Sequence, residues 1–305
     1  MPKLAISKSI LIDAPVSKVF DIVSDFNQWT VWSPWLLMDP DTKVTVAEDK
    51  QSYEWDGKRT GKGNMKITSS AENKSVNYDL TFLTPWKSFA KVAFELEEKD
   101  GKTEATWIMD SSLPWFMFWM KKMMTAFVGM DYERGLRLLK DYAEDGKTHS
   151  DLHFLGESTK PGCAYIGIKT TASISNMSDM GASFEKLMAL VTEGDLLAGE
   201  PFSQYHKWDM VKGMATYTAA IPVKAIPENL PDGVISGTLP DTKVYTLKHT
   251  GPYHHLGNAW STLYNMQRGK EFKLNKKVDP FESYVNSPME VDEKQLVTEV
   301  HFPVK

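Results

Sequence analysis

One cysteine, Cys163, occurs in the 305 residues. A single thiol excludes an internal disulfide and any zinc site built of cysteines. It leaves Cys163 as a small, semi-apolar residue at the start of a predicted strand. No uninterrupted apolar run approaches the ~18 residues of a membrane-spanning helix, so no membrane span is expected. Lys3, Lys8 and Lys18 interrupt the first apolar positions and no small-residue cleavage site follows, which is not a signal-peptide pattern; a cytoplasmic location is the default expectation. Basic excess is also lacking. Lys and Arg total 35 against 40 Asp and Glu, a formal charge of −5. The pairs Lys121-Lys122 and Lys276-Lys277 are short and scattered, which speaks against a nucleic-acid partner. Gly61-Lys-Gly63 lacks the context of a phosphate loop, and no cofactor is expected. His206, His249 and the adjacent His254-His255 form no metal-ligand spacing, so no metal is expected either.

What is present is ordinary globular material, 42% hydrophobic and 25% charged, in a length that suits two domains of about 150 residues each. The polar stretch Asp145–Asp151 is the predicted junction. It separates a domain over residues 1–146 from one over residues 152–305.

Leu4, Ile6, Ile10 and Ile12 share one parity and read as a half-buried strand. A helix follows from Ala14-Pro15, with Val16, Val19, Phe20 and Val23 as its stripe. Asn27–Trp35 reads as an aromatic turn. Strands separated by Gly57, Gly61, Glu72-Asn73 and Lys99-Asp-Gly101 occupy about 43–110. Met120, Met123, Met124, Phe127, Met130, Leu136 and Leu139 then predict a long helix from about 116 to 145. A curved sheet gripping a long helix encloses a cavity. Trp29, Trp32, Trp35, Trp55, Trp86 and Trp107, with Met117, Met120, Met123 and Met124, would suit its walls. Phe116–Met124 is short of basic residues and reads as cavity-lining helix rather than as a membrane-surface segment.

The second half repeats itself. Phe202-Ser-Gln-Tyr205 is echoed by Phe281-Glu-Ser-Tyr284, 79 residues on. Ala220-Ile-Pro-Val223 is echoed by His301-Phe-Pro-Val304, and Tyr165–Lys169 by Tyr245–His249. Each copy reads strand–helix–strand–strand. Two copies about a pseudo-twofold axis make one sheet with both helices on one face, leaving the other face, or the seam between copies, for a ligand. The fold class is therefore α+β, a helix-grip domain followed by a β-α-β-β repeat domain.

Ile12-Asp-Ala-Pro15-Val-Ser-Lys-Val-Phe20, Trp29-Thr-Val-Trp32-Ser-Pro-Trp35 and the closing Gly135-Leu-Arg-Leu-Leu-Lys140 resemble the START-like (SRPBCC) polyketide cyclase/dehydratase family. That resemblance implies apolar ligands and says little about chemistry. His249-Thr-Gly-Pro-Tyr253, Pro280-Phe-Glu-Ser-Tyr-Val-Asn-Ser-Pro288 and Leu296–Val304 resemble the GyrI-like domain, the SHS2-repeat effector-binding half of multidrug-sensing AraC-type regulators. In those regulators a strand glutamate ringed by aromatics takes cationic ligands, and the matching position is Glu282. The helix-turn-helix that precedes the sensor in the regulators is replaced here by the helix-grip domain, so the resemblance implies ligand binding and not transcription control.

The pleat puts Glu282 and Tyr284 on one face and Phe281 on the other. If Phe281 packs under the helices, Glu282 faces the open side. Glu299 shares a face with His301, and a neighbouring strand could bring it beside Glu282, where paired carboxylates would support acid–base chemistry. Tyr205, Trp208, Tyr217, Tyr253, Trp260 and Tyr284 are candidate ligand walls, with Tyr165, Tyr245 and Tyr264 as further ring positions. The preferred expectation is a non-catalytic binder of hydrophobic and cationic small molecules. The alternative is a GyrI-like hydrolase of reactive natural products with Glu282 or Glu299 as general base. A protein partner is conceivable on sequence grounds but has no residue pattern behind it.

Overall fold

The computed structural model describes residues 3–84 and 87–305. The chain divides into two compact units, Met1–Ser150 and Asp151–Lys305.

In the first unit β1 (Lys3–Ile12) is followed by three short helices, α1 (Val16–Val23), α2 (Phe26–Trp32) and α3 (Pro34–Met38). The strands β2 (Lys43–Val46), β3 (Ser52–Gly57), β4 (Gly61–Ala71), β5 (Ser75–Phe82), β6 (Ser88–Lys99) and β7 (Lys102–Ser112) come next. A 3-10 turn (Trp115–Met120) then leads into α4 (Lys121–Asp145). The strands form one antiparallel sheet, ordered β1-β7-β6-β5-β4-β3-β2. α4 ends where Gly146 adopts a left-handed φ of 75° and its N–H caps the Tyr142 carbonyl, a conformation that favours glycine.

The aromatic stretch expected as a turn folds instead as α2 and α3. Asp25 caps the first by accepting from the Asn27 N–H, and Ser33 with Pro34 starts the second. These helices feed Trp29 and Trp32 into a core where Trp107 stacks on Tyr132 of α4 at 4.0 Å and Phe94 stacks on Trp107 at 5.1 Å. The long helix begins at Lys121, later than its stripe suggested, because the residues after Pro114 close in the tighter 3-10 turn.

The second unit comprises β8 (Asp151–Lys160), β9 (Cys163–Ser173), α5 (Ser178–Glu193), β10 (Phe202–Asp209) and β11 (Met214–Pro222). After them come β12 (Ile235–Leu239), β13 (Thr242–Thr250), α6 (Gly257–Arg268), β14 (Phe281–Tyr284) and β15 (Val297–Pro303). Its sheet runs β12-β9-β11-β10-β14-β15-β13-β8. The repeat pattern found β9-α5-β10-β11 and β13-α6-β14-β15; it missed the strand leading each copy. Those leaders are exchanged: β8 pairs with the second copy's β13, and β12 with the first copy's β9. Tyr165 opposes Gly237 and Tyr245 opposes Glu157, so equivalent residues make equivalent pairs. The pseudo-twofold axis passes through the seam, where β10 pairs with β14 and Ser203 lies opposite Glu282.

α5 and α6 cover one face. Leu187 and Val191 pack with Ile166, Ile221 and Val223, while Ala259, Trp260, Leu263 and Met266 pack with Leu247, Val300 and Phe302. The opposite face is not open at its centre. Phe202, Phe281, Val244 and Val278 form a buried cluster there.

Candidate functional site at the seam between the repeats

Strand register decides which side chains meet at the seam. Glu282 lies opposite Ser203 on one side and Val300 on the other, and Val300 belongs to the helix-covered core. Glu282 therefore points toward the helices, not to the open side, and it is Phe281 that faces away, packed on Phe202 and His301. The condition set on Phe281 from sequence is reversed. Apolar Phe202 and Phe281 form a second core on the far face, which turns the alternating carboxylate inward.

The carboxylate is 2% exposed and is bound by three neutral donors. The Tyr205 hydroxyl donates to Oε1 at 2.8 Å, the Tyr284 hydroxyl to the same oxygen at 2.7 Å, and the Trp260 indole N–H to Oε2 at 2.7 Å. Tyr205 and Tyr284 are repeat mates, 79 residues apart, and so are Ser203 and Glu282. Symmetry brings two phenols to the axis, while the mate of the carboxylate is a hydroxyl. α6 supplies Trp260 to Glu282, and α5 supplies Met180, whose sulfur lies 3.5 Å from the Ser203 hydroxyl and 3.1 Å from that of Tyr284. The sequence did not single out Ser203 or Met180, and it marked Phe184 only as part of a helix stripe. The repeat itself could have found Ser203, as the position equivalent to Glu282.

A β-bulge completes the ring. Tyr205 and Trp208 differ by three positions and would face opposite sides of a regular strand. The register shifts between Tyr205 and Lys207, the extra residue being His206, and Trp208 returns to the face of Tyr205. The two rings stack at 4.7 Å and 8°, and Trp260 meets them at 4.8 and 5.3 Å. His206 is held by Asp279 at Nδ1 (2.8 Å) and by Thr218 at Nε2 (2.7 Å). Tyr217 lies 5.8 Å from Tyr205. Toward solvent, the Tyr284 ring meets Phe184 at 5.3 Å and Tyr253 at 5.7 Å, and Tyr253 is 37% exposed.

Burial raises the Glu282 pKa above its ordinary value, and the bonds from Tyr284, Trp260 and Tyr205 pull it part of the way back. Burial and the adjacent carboxylate push both Tyr205 and Tyr284 well up. Tyr253 is raised to about 12 by burial and by Glu282. The donors are acids too weak to give up their protons, so a negative charge on Glu282 would be solvated by hydrogen bonds alone, with no cationic group among its hydrogen-bond donors.

Glu299 does not join it. Glu299 opposes Ser283, which puts it on the far face, where it pairs with Lys160 at 2.9 Å. The anticipated carboxylate pair is not formed, because the antiparallel register gives Glu282 to the Val300 face. Tyr165 packs on Phe202 on that far face, Tyr245 stacks on Phe272, and Tyr264 packs on Phe302. None of these three donates to Glu282.

The first unit contains a cavity of about 450 Å³, within the usual range for small-ligand sites. Trp29, Trp35, Trp55 and Trp107 line it with Met65, Met109, Met117 and Met124, and the Asp131 carboxylate is among its polar groups. Asp131 pairs with Arg134 at 2.6 Å. Trp32 lies in the core beside Trp29 and not in the cavity wall, Met120 and Met123 are not in the lining either, and Trp86 lies outside the described residues. The segment expected to line the cavity does so only through Met117 and Met124; Trp115, Phe116, Phe118 and Trp119 are exposed.

Residues 3–144 match the family model for polyketide cyclase / dehydrase and lipid transport, and residues 158–305 match that for the GyrI-like small molecule binding domain. No curated protein matches the chain. Among solved structures, the chain is similar to EcmrR in a DNA complex, with 19% identity, TM-score 0.44, and coverage of 63% of this chain and 72% of that one. The isolated C-terminal domain of EcmrR is 21% identical, with TM-score 0.39, over 51% of this chain and 98% of that one. CalU16 from Micromonospora echinospora is 17% identical, with TM-score 0.33, over 47% of this chain and 77% of that one.

Proposed function

We propose, for a chain that joins a polyketide cyclase/dehydrase-type domain to a GyrI-like domain, that the second domain binds lipophilic organic cations at Glu282 and the first holds an apolar ligand in its cavity. One observation carries the first part: Glu282 is buried, its pKa is raised, and among the described residues the side chains that donate to it are three neutral aromatics. An organic cation would neutralise that charge, and the stacked rings of Tyr205 and Trp208, with Trp260 edge-on to them, would add cation–π attraction of about 0.5–2 kcal/mol per ring. Tyr253 and Tyr284 form the wall nearest solvent, so a ligand reaches the carboxylate by turning them aside.

The test is calorimetric titration of the full chain with tetraphenylphosphonium. The wild type is expected to bind saturably, and Glu282→Gln to lose at least about tenfold in affinity, or ~1.4 kcal/mol. Equal affinity in the two proteins would remove Glu282 from the reading, and no binding by the wild type would remove the cation.

A second reading is a hydrolase in which Glu282 acts as general base. The raised pKa of a carboxylate bonded to two phenols supports it. It requires turnover that Glu282→Gln abolishes while binding persists.

A further inference from the structure

We propose that the 3-10 turn Trp115–Met120 of the first unit docks on an anionic lipid bilayer and sets the cavity mouth against the membrane surface. Trp115, Phe116, Phe118 and Trp119 are 76%, 59%, 65% and 68% exposed. Four large rings in water within five residues, for residue types that ordinarily dominate cores, mark an interaction surface. Phe89, at 61% exposed, extends the patch. It lies at the same end of the sheet, since its carbonyl accepts from the Ser111 hydroxyl at 2.8 Å and β7 runs from Ser111 into the turn.

The charges within the patch's own two segments are basic. Lys121 and Lys122 follow the turn and are exposed, and the exposed Lys87 holds its ammonium 5.4 Å from the Phe89 ring. No Asp or Glu occurs from Ser111 to Met130 or from Leu80 to Ala90. Another protein's apolar face would not call for these three lysines, whereas lipid phosphates would. Tryptophan favours the headgroup level and lysines reach anionic lipids from beside it. The patch is continuous with the cavity, because Lys87, Ser88, Phe89, Pro114 and Met117 belong to the cavity lining. A lipid leaving the bilayer would therefore meet the cavity without crossing water. The chain's net charge of −5 makes the local excess of cations informative, since the molecule as a whole is repelled by an anionic surface.

The experiment is co-sedimentation of the full chain with vesicles of phosphatidylcholine containing about one third phosphatidylglycerol, beside vesicles of phosphatidylcholine alone. Binding is expected to the first and to be weak to the second. Lys121→Glu with Lys122→Glu should weaken it at least about 25-fold, from a factor of about five for each lysine at an anionic surface. Trp115→Ser with Trp119→Ser should weaken it by at least a further factor of ten. These side chains are exposed, so the variants should keep the wild-type circular dichroism and melting temperature. The reading does not depend on the cation site, and Glu282→Gln should bind vesicles like the wild type. Absence of wild-type binding to the anionic vesicles overturns the proposal. So does binding that all variants share, or a concentration-dependent dimer in sedimentation velocity that Trp115→Ser with Trp119→Ser abolishes, which would assign the patch to a second copy of the chain.

Discussion

Replacing Tyr205 by Phe removes one hydroxyl and keeps the ring that stacks on Trp208. The phenol's hydrogen bond goes to Glu282 Oε1 at 2.8 Å in a buried setting. If that oxygen is ionised, a hydrogen bond to it contributes about 1.5–3 kcal/mol to stability; if it is protonated, about 0.5–1.5 kcal/mol. The cost of Tyr205→Phe should therefore depend on pH. At pH 4, below the ordinary value of a glutamate, the raised pKa keeps Glu282 protonated in the folded state, and the cost falls in the lower range. At pH 9 it should rise by about 1 kcal/mol. With a urea slope of about 1–3 kcal/mol per molar, a loss of about 2 kcal/mol lowers the midpoint of the second unit by roughly 1 M. Pulse proteolysis of the intact chain in urea follows that unit by its own fragment. In the Glu282→Gln background the cost should stay in the lower range at both pH values. An equal cost at pH 4 and pH 9 in the wild-type background would refute the reasoning, since it would mean that no charge develops on Glu282 across that span.

The same carboxylate predicts a pH profile. As pH rises through the ordinary glutamate value the unfolded chain releases its proton while the folded chain retains it, so the second unit loses stability until its own raised pKa is passed, and Glu282→Gln should flatten that fall in urea melts. His206→Ala removes both bonds that hold the bulge; it should cost about 1–2 kcal/mol and shift the Trp208 emission as the ring leaves Tyr205. Gly135→Ala should destabilise the first unit by about 1–3 kcal/mol despite alanine's better helix propensity, because a Cβ there would lie 2.6 Å from the Trp107 ring; thermal melts of the two proteins decide it. Leu80→Trp, which fills part of the first unit's cavity, should abolish fluorescence enhancement by an apolar probe such as anilinonaphthalene sulfonate without unfolding the sheet.

The resemblance to GyrI-like domains pointed to Glu282; the sequence by itself determined the α+β class, the order of strands and long helix in the first unit and the duplication in the second. These rest on local periodicity and on repeated spacing, which survive without knowledge of any neighbour. The repeat even contained the pairing of Tyr205 with Tyr284. Tertiary structure alone decided the rest, because strand register and face are set by what packs on each side. The face of Glu282 followed from a second apolar cluster around Phe281 that alternation cannot see. The separation of Glu299 from Glu282 followed from a register in which Val300, not Glu299, lies opposite the carboxylate. Trp208 reached the site through a one-residue bulge that breaks the parity rule. The exposure of Trp115–Trp119 was likewise invisible, since an aromatic run reads as core until the fold leaves nothing above it.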